Sequence, residues 1–172
     1  IVVLAYLFSL IDQNKILLKY CLIALPSVPV LQLWLYQPWR LFSPVLLHFS
    51  IFQLLFNGYM LYYLGSFIEK KNSRIFYCLL LFFSIILPNI IQMVFSGFYF
   101  GGLSGVVYAL FGFLWVTAKY NPWSGYYLRQ DIIYWMLGWL VLSFMGWLGH
   151  AMFAGSLAGL VIGGIFALVK RR

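Results

Sequence analysis

The stretch FGGLSGVVYALFG, residues 100–112, holds a serine among glycines at the point where an apolar helix begins. Residue types alone allow two interpretations of Ser104. A serine between glycines, with Gly105 and Gly112 following it, is typical of the small-residue contacts that let membrane helices approach closely. A serine at the start of a buried helix can also be a nucleophile, provided that a neighbouring base activates its hydroxyl. Taken alone, the pattern favours packing, so the interpretation depends on what the rest of the chain supplies.

The composition predicts a protein that folds in a lipid bilayer. Of the 172 residues, 65% are hydrophobic and 8% are charged, whereas soluble domains average about 25% charged residues. Apolar runs long enough to cross a bilayer, about 20 residues each, recur along the chain. The formal net charge of +8 does not indicate a nucleic-acid partner, because the cations lie at the ends of apolar segments. We therefore expect an all-α, polytopic membrane protein.

Six apolar segments predict six transmembrane helices within a single domain, residues 1–172. Residues 12–44 are apolar but carry four prolines, which break helices. We expect them to form a long first loop in the interface, with Trp34, Tyr36 and Trp39 at headgroup depth. The chain begins inside an apolar run, which indicates that the start of the first helix is missing. The predicted spans are 1–11, 46–68, 75–95, 103–118, 132–147 and 151–169.

The cations predict an orientation, since basic residues favour the cytoplasmic side of a membrane. Most cations follow the even-numbered spans, so the C-terminus is expected in the cytoplasm and the opposite helix ends on the outer side. Lys15, Lys19 and Arg40 fall in the outer first loop. The residues predicted to be cytoplasmic are Lys70, Lys71, Arg74, Lys119, Arg129, Lys170, Arg171 and Arg172.

Polar side chains gather at the predicted outer ends of the helices. Polar groups at membrane depth are costly, and they indicate function by default. Gln53 and Asn57 occupy positions i and i+4 and so share one helix face. The full set is His48, Gln53, Asn57, Ser104, His150 and Ser156.

Each of these residues also has a simpler interpretation. Gln53 and Asn57 can serve as hydrogen bonds between helices, and His48 can face lipid headgroups. Ser156 precedes glycines at spacings of three and four residues, which is typical of close helix packing. His150 follows a glycine and is most simply a loop residue.

Taken together, these positions resemble the rhomboid intramembrane serine proteases, most closely the bacterial six-helix type. The resemblance covers nearly the whole chain, and the GLSG stretch followed by an apolar helix is its most specific part. It also rests on WRLFSPVLLHFS (39–50), LLFN (54–57), YYLGSFIEK (62–70), FSG (95–97), SGYYL (124–128) and AGLVIGG (158–164).

The resemblance implies a mechanism and a set of roles. Ser104 matches the nucleophile, and Asn57 matches an asparagine that binds the oxyanion together with the nucleophile's own backbone N–H. Tyr108 matches an aromatic residue that stacks on the base. Gly102 matches a position where the backbone approaches closely, and His48 matches the first histidine of the second helix.

Three positions depart from the family pattern, and one of them is Phe153, which stands where the resemblance implies an asparagine. Gln53 stands where the family usually has a histidine, and its amide N–H can still donate to an oxyanion. Gly159 and Gly163 align with glycines that follow the base by three and seven residues, which puts Ser156 at the base position. A serine is not a base near neutral pH. His150 lies six residues earlier, about 240° around a continuous helix, and it substitutes only if the helix begins after it.

Two functions therefore remain open at this stage. One is an intramembrane serine endopeptidase that cleaves transmembrane segments, with His150 as a relocated base or with a low rate. The other is a catalytically inactive relative that binds transmembrane helices. A channel or transporter has little support, since no ring of charges or internal repeat is visible.

The resemblance also indicates location and partners. It implies a multi-pass protein of the bacterial inner membrane, with the site towards the outer side and transmembrane proteins as substrates. No cofactor or metal is expected, because His48 and His150 lack cysteines or carboxylates nearby and make a poor ligand set.

Overall fold

The chain folds into α-helices joined by short turns. The computed structural model describes residues 2–11, 16–25, 28–146 and 150–170, with the side chains of residues 2, 8–11, 16, 17, 150 and 151 outside that description. Within these ranges there is no β-strand. The helices are α1 (Val2–Ile11), α2 (Ile16–Cys21), α3 (Val30–Tyr36), α4 (Ile51–Lys71), α5 (Arg74–Ser96), α6 (Ser104–Tyr120), α7 (Gln130–Phe144) and α8 (His150–Lys170).

The prediction of an all-α membrane protein is confirmed. Each predicted apolar span corresponds to one helix, namely α1 and α4 to α8. Among the described residues, α4, α5 and the part of α8 from Met152 onward are long and apolar enough to cross a bilayer. The predicted start of the second span differs from the structure. Helix α4 begins at Ile51 rather than residue 46, because Ser50 caps it by accepting a hydrogen bond from the Gln53 backbone N–H at 3.1 Å.

Helix α6 is the centre of the bundle. Every residue from Ser104 to Leu114 is buried, so protein rather than lipid surrounds this part of the helix. Its 17 residues extend about 25 Å, which is less than the hydrocarbon thickness of about 30 Å. A helix that is covered on all sides does not need to reach both surfaces. Its first residue can therefore lie below the membrane surface.

Close packing between α6 and α8 depends on glycines. A Cβ at Gly159 would overlap the carbonyl oxygen of Gly105, and a Cβ at Gly163 would overlap that of Ala109. The two helices thus run side by side with their backbones in contact, which only small residues permit. On its other side, Gly105 faces Pro88 of α5, whose Cβ would lie 2.6 Å from an added Cβ.

The first loop is more structured than a plain interfacial loop. It contains α2, α3 and two 3-10 turns, Pro38–Leu41 and Ser43–Leu46. Trp34 is half-buried and donates from its indole to the Ile23 carbonyl oxygen at 2.8 Å, whereas Tyr36 and Trp39 are exposed. Pro38 follows the end of α3 closely and prevents that helix from continuing, and tertiary contacts hold the pieces together.

Arg40 is buried in this loop. Its guanidinium donates to the carbonyl oxygens of Lys19 at 2.9 Å and Leu22 at 2.7 Å, and to Gln37 Oε1 at 2.6 Å. From the sequence, Arg40 is expected only to be one of the cations of the outer first loop. The structure gives it a different task, because a planar guanidinium can tie several neighbouring carbonyl groups into one compact loop.

Replacing Gly163 by alanine should destabilise the α6–α8 contact. The new methyl group would overlap the Ala109 backbone, and overpacking of this kind typically costs about 1–3 kcal/mol. The matched control is Gly164→Ala, where the nearest atom to the added Cβ is Val116 Cγ2 at 3.5 Å. Thermal unfolding in detergent measures both. Equal midpoints for the two variants would contradict this account of the packing.

Candidate active site

Ser104 is the first residue of α6, and it is buried. The backbone N–H groups in the first turn of a helix have no partner within the helix. The N–H of Ser104 is therefore available to a ligand at the same place as its hydroxyl. Position, burial and a free donor are the properties that a recessed nucleophile needs.

The loop of residues 97–103 before Ser104, the Ser104 loop, is held tightly against the first loop. Gly102 donates its backbone N–H to the Pro44 carbonyl oxygen at 3.0 Å. A Cβ at Gly101 would overlap Leu47 and lie 2.9 Å from Pro44 O. Gly102 has a backbone φ of +112°, a conformation that residues other than glycine rarely adopt. Both glycines are thus required for the chain to reach Ser104 in this conformation.

Gln53 fastens this loop to α4. Its Nε2 donates to the Gly101 carbonyl oxygen at 3.1 Å, and its Oε1 accepts the Phe49 backbone N–H at 3.0 Å. A Cβ at Gly102 would overlap Gln53 Nε2. The Gln53 amide therefore uses its oxygen and one of its two N–H groups to hold these loops in position.

Asn57 lies one turn further along α4 and has a donor to spare. The residue is buried, and its Nδ2 has no hydrogen-bond partner among the described residues. Nδ2 lies 3.7 Å from the position that a Cβ on Gly102 would occupy. A buried donor without a partner costs free energy. Its persistence beside the Ser104 loop indicates a site for a ligand acceptor.

Ser156 lies in α8 at the level of the same loop. The contacts of Gly159 and Gly163 with Gly105 and Ala109 fix the register of α8. Ser156 precedes Gly159 by three residues, which is nearly one helical turn. Its side chain is buried, and its Oγ has no hydrogen-bond partner among the described residues.

His150 begins α8, and the helix is continuous from there to Lys170. The relocated-base hypothesis required the helix to begin after His150. On one continuous helix the backbone positions of residues 150 and 156 are about 240° apart and about 9 Å along the axis. The side chain of His150 lies outside the described residues.

His48 lies in the turn before α4 rather than within the span. It is buried, its Nδ1 faces the Leu46 carbonyl oxygen at 3.4 Å, and its Nε2 has no hydrogen-bond partner among the described residues. Burial lowers the pKa of the His48 imidazole, and the Leu46 carbonyl raises it only in part. The neutral form is therefore favoured, and no hydrogen bond joins this ring to Ser104.

Tyr108 lies one turn after Ser104, as the sequence indicates, and it is buried. Its hydroxyl donates to the Met136 carbonyl oxygen at 2.7 Å. Its ring meets Phe111 edge-on, with centroids 6.3 Å apart. In the structure, Tyr108 joins α6 to α7, a contact that no sequence pattern could signal because Met136 contributes only a backbone atom.

Sequence reasoning missed several residues that shape the site. Gly101 and Pro44 form the loop contact described above, and Gln92 of α5 packs against Gly155, where an added Cβ would overlap its Oε1. Asn89 of α5 donates to the Leu41 carbonyl oxygen at 3.0 Å. The available signal was the pair of amide residues, Asn89 and Gln92, inside an apolar span, since buried polar groups in membranes need partners.

The arrangement has most of the parts needed for acyl transfer. A recessed hydroxyl, a helix N-terminal N–H and a spare amide donor meet at one loop, and donors of this kind stabilise an oxyanion. The part that the described side chains do not supply is a base in contact with Ser104. The geometry therefore fits a serine hydrolase site whose proton acceptor is absent or lies outside these side chains.

Comparison with known proteins agrees with this chemistry. A family model described as the Rhomboid domain matches residues 35–172. The chain is similar to the rhomboid protease GlpG of Salmonella paratyphi A, with 37% identity over 169 residues that cover 98% of this chain and 59% of the relative. The relative of the same name from Salmonella typhimurium is 37% identical over 97% of this chain and 59% of its own length. The chain thus spans about three fifths of these curated relatives.

Gln53→Ala should loosen the loop that carries Gly101 and Gly102. The part-buried Gly101 C=O loses its donor, which costs about 1–3 kcal/mol when the group is left unpaired. The exposed Phe49 N–H loses its acceptor but can bond to water instead. Hydrogen exchange at the amides of Phe49 and Gly102 should become faster. The matched control is Ser66→Ala, which removes only a bond to the Tyr63 carbonyl oxygen within α4. Unchanged exchange in Gln53→Ala would contradict the positioning role.

Proposed function

Because the chain belongs to the rhomboid family, we propose that it is an intramembrane serine endopeptidase in which Ser104 is the nucleophile. The observation that carries this proposal is the spare donor of Asn57, buried beside the Ser104 loop with no partner among the described residues. A packing serine has no need of such a donor. An oxyanion binding site does, because it must present donors to a charge that exists only during the reaction.

In the proposed reaction, Ser104 Oγ attacks the carbonyl carbon of a peptide bond, and its proton passes to a water molecule or, in the alternative form, to His150, from which the leaving amine later takes it up. The carbonyl oxygen becomes negatively charged in the tetrahedral intermediate. The backbone N–H of Ser104 and Asn57 Nδ2 donate to it, and the second N–H of Gln53 is a further donor. The bond to the leaving amine then breaks, the amine takes up a proton, and water releases the acyl group from Ser104.

The proton acceptor is the weak part of this machinery. Ser156 occupies the position at which the family resemblance implies a histidine, and a hydroxyl does not accept a proton near neutral pH. Oxyanion stabilisation and substrate binding alone still leave a residual acceleration of about 10³–10⁴ over water. We propose slow turnover for this reason. The alternative form of the mechanism, with His150 as the relocated base, requires the first turn of α8 to unwind, because the helix already includes His150.

The proposed substrates are transmembrane segments of other membrane proteins. The relatives are named rhomboid proteases. Ser104 is buried at the start of α6, a helix too short to reach both membrane surfaces, and this position supports cleavage within the membrane. Substrate entry between α4 and α7 requires separation of Phe56 and Trp139, whose rings stack with centroids 5.1 Å apart. We propose the bacterial inner membrane as the location, with the site towards the outer side and the C-terminus cytoplasmic.

A second candidate function has one observation in its favour. The serine at position 156 suits a relative that binds transmembrane helices without cleaving them, because it packs like a small residue and supplies no base. The two functions differ in one respect that can be measured directly, the reactivity of the Ser104 hydroxyl.

Ser104→Ala should abolish cleavage of a model transmembrane substrate and labelling by a fluorophosphonate probe. Both require the hydroxyl to act as a nucleophile. The matched control is Ser84→Ala, a buried serine of α5 that donates to the Leu81 carbonyl oxygen. Gel-based labelling and product detection measure the two reactions. If the unaltered chain gives neither product nor label, the helix-binding function replaces the protease.

Asn57→Ala should lower kcat by about 100-fold or more while leaving the unfolding temperature nearly unchanged. Removal of an oxyanion donor typically costs a factor of about 10²–10³, and Nδ2 has no partner to lose in the resting protein. Asn89→Ala is the contrasting variant. Its Nδ2 holds the Leu41 carbonyl oxygen at 3.0 Å, so it should lose stability. A reversed pattern would contradict the oxyanion role of Asn57.

A further inference from the structure

A basic cavity lies at the end of the bundle opposite to Ser104, where α4, α6 and α8 end. Its volume is about 240 Å³, and its polar lining includes Lys71, Lys170, Thr117, Ser124 and Tyr126. Ser104 and Tyr120 are the first and last residues of α6. The length of that helix, about 25 Å, therefore separates the cavity from the candidate active site.

Both lysines of the cavity lack an anionic partner among the described residues. Lys71 donates to the Gly125 carbonyl oxygen, and Lys170 donates to Asn72 Oδ1. Among the described residues the ion pair is that of Arg129 with Asp131. The cavity thus holds two positive charges that are bonded only to neutral oxygens.

The cavity is held in shape by aromatic rings and hydrogen bonds. Tyr126 is buried, and its hydroxyl accepts a hydrogen bond from Asn72 Nδ2 at 2.5 Å. Lys71 Nζ lies 4.8 Å from the centroid of the Tyr126 ring, and Lys170 Nζ lies 5.0 Å from that of Phe76. Cations over ring faces are positioned rather than freely solvated.

The helix dipoles do not cancel this charge. Three helix C-termini meet here, and each contributes about −0.5 of an elementary charge. The cations at the same end include Lys70, Lys71, Lys119 and Lys170. Glu69 of α4 adds one negative charge at this end. The four positive charges still exceed the sum of the Glu69 charge and the three dipoles, so the cavity attracts anions.

Exposed aromatic residues beside the cavity indicate its depth in the membrane. Trp123 is 96% exposed and Tyr127 is 74% exposed, and Tyr120 on the cavity wall is 51% exposed. Tryptophan and tyrosine concentrate at the level of lipid headgroups. An anion at this level is most abundantly the phosphate of a lipid.

We propose that this cavity binds the phosphate of an anionic lipid headgroup, with Lys71 and Lys170 as the charged ligands. The hydroxyls of Thr117, Ser124 and Tyr126 line the same space and suit a phosphate or glycerol oxygen. Basic pockets between transmembrane helices are a recognised way of binding anionic lipids. The bound lipid would join the ends of α4 and α8 independently of the chemistry at Ser104.

Native mass spectrometry of the full chain in neutral detergent tests the proposal, with phosphatidylglycerol as the probe. Each lysine that lines the cavity and contacts the bound phosphate should contribute about fivefold in affinity, so Lys71→Gln with Lys170→Gln should weaken binding about 25-fold. The matched control removes two neighbouring cations that do not line the cavity, Lys70→Gln with Lys119→Gln, and should change binding less than threefold. Lys71→Arg with Lys170→Arg should retain phosphatidylglycerol binding, because both positive charges remain.

The remaining outcomes decide against the proposal. Equal binding of phosphatidylglycerol and phosphatidylcholine would show that charge is not recognised. Displacement of the lipid by an equal concentration of inorganic phosphate would assign the cavity to a free anion instead. Equal losses in the cavity variant and its control would reduce the effect to general surface charge. Should the double variant not fold, Lys170→Gln alone should still lose about fivefold, and no loss would overturn the proposal.

Discussion

Backbone contact between α6 and α8 is the constraint on which the rest of this structure depends. Gly159 and Gly163 bring α8 against the carbonyl oxygens of Gly105 and Ala109, and no larger residue fits there without moving the helices. Because this contact fixes the register of α8, it also decides which α8 residue stands level with the Ser104 loop. That residue is Ser156. The glycines that bring α8 against α6 therefore also determine which side chain of α8 lies near Ser104.

The same site illustrates how a membrane protein divides binding from proton transfer. Asn57 and the N-terminus of α6 present donors that need no rearrangement during a reaction, and such preorganised dipoles act strongly where water is scarce. Proton removal requires a group with a suitable pKa, which donors cannot replace. A site with preorganised donors but without a proton acceptor is expected to bind and polarise a carbonyl group well but to turn over slowly.

Those features that depend on local pattern could be predicted from the sequence. Apolar runs located the main helices, and the spacing of Gly159 and Gly163 identified the face of α8 that packs. Features that depend on distant contacts could not. The start of α4 at Ile51 was missed for another reason, since its Ser50 cap is a local signal that the apolar run from residue 46 obscured. Arg40 proved to be a buried link between loop carbonyls rather than a topological charge. Likewise, Gly101 matters because of Pro44 and Leu47, which lie more than fifty residues earlier.

The most direct test of the central claim is the cleavage rate of Ser156→His against that of the unaltered chain, on one transmembrane substrate in one detergent. If the α6–α8 register sets the level of position 156, an imidazole there should raise kcat by at least about 100-fold, the gain typical of a positioned general base. The gain should disappear when Ser104 is also replaced by alanine. A folded Ser156→His variant with no increase would contradict both the register and the role of the missing base.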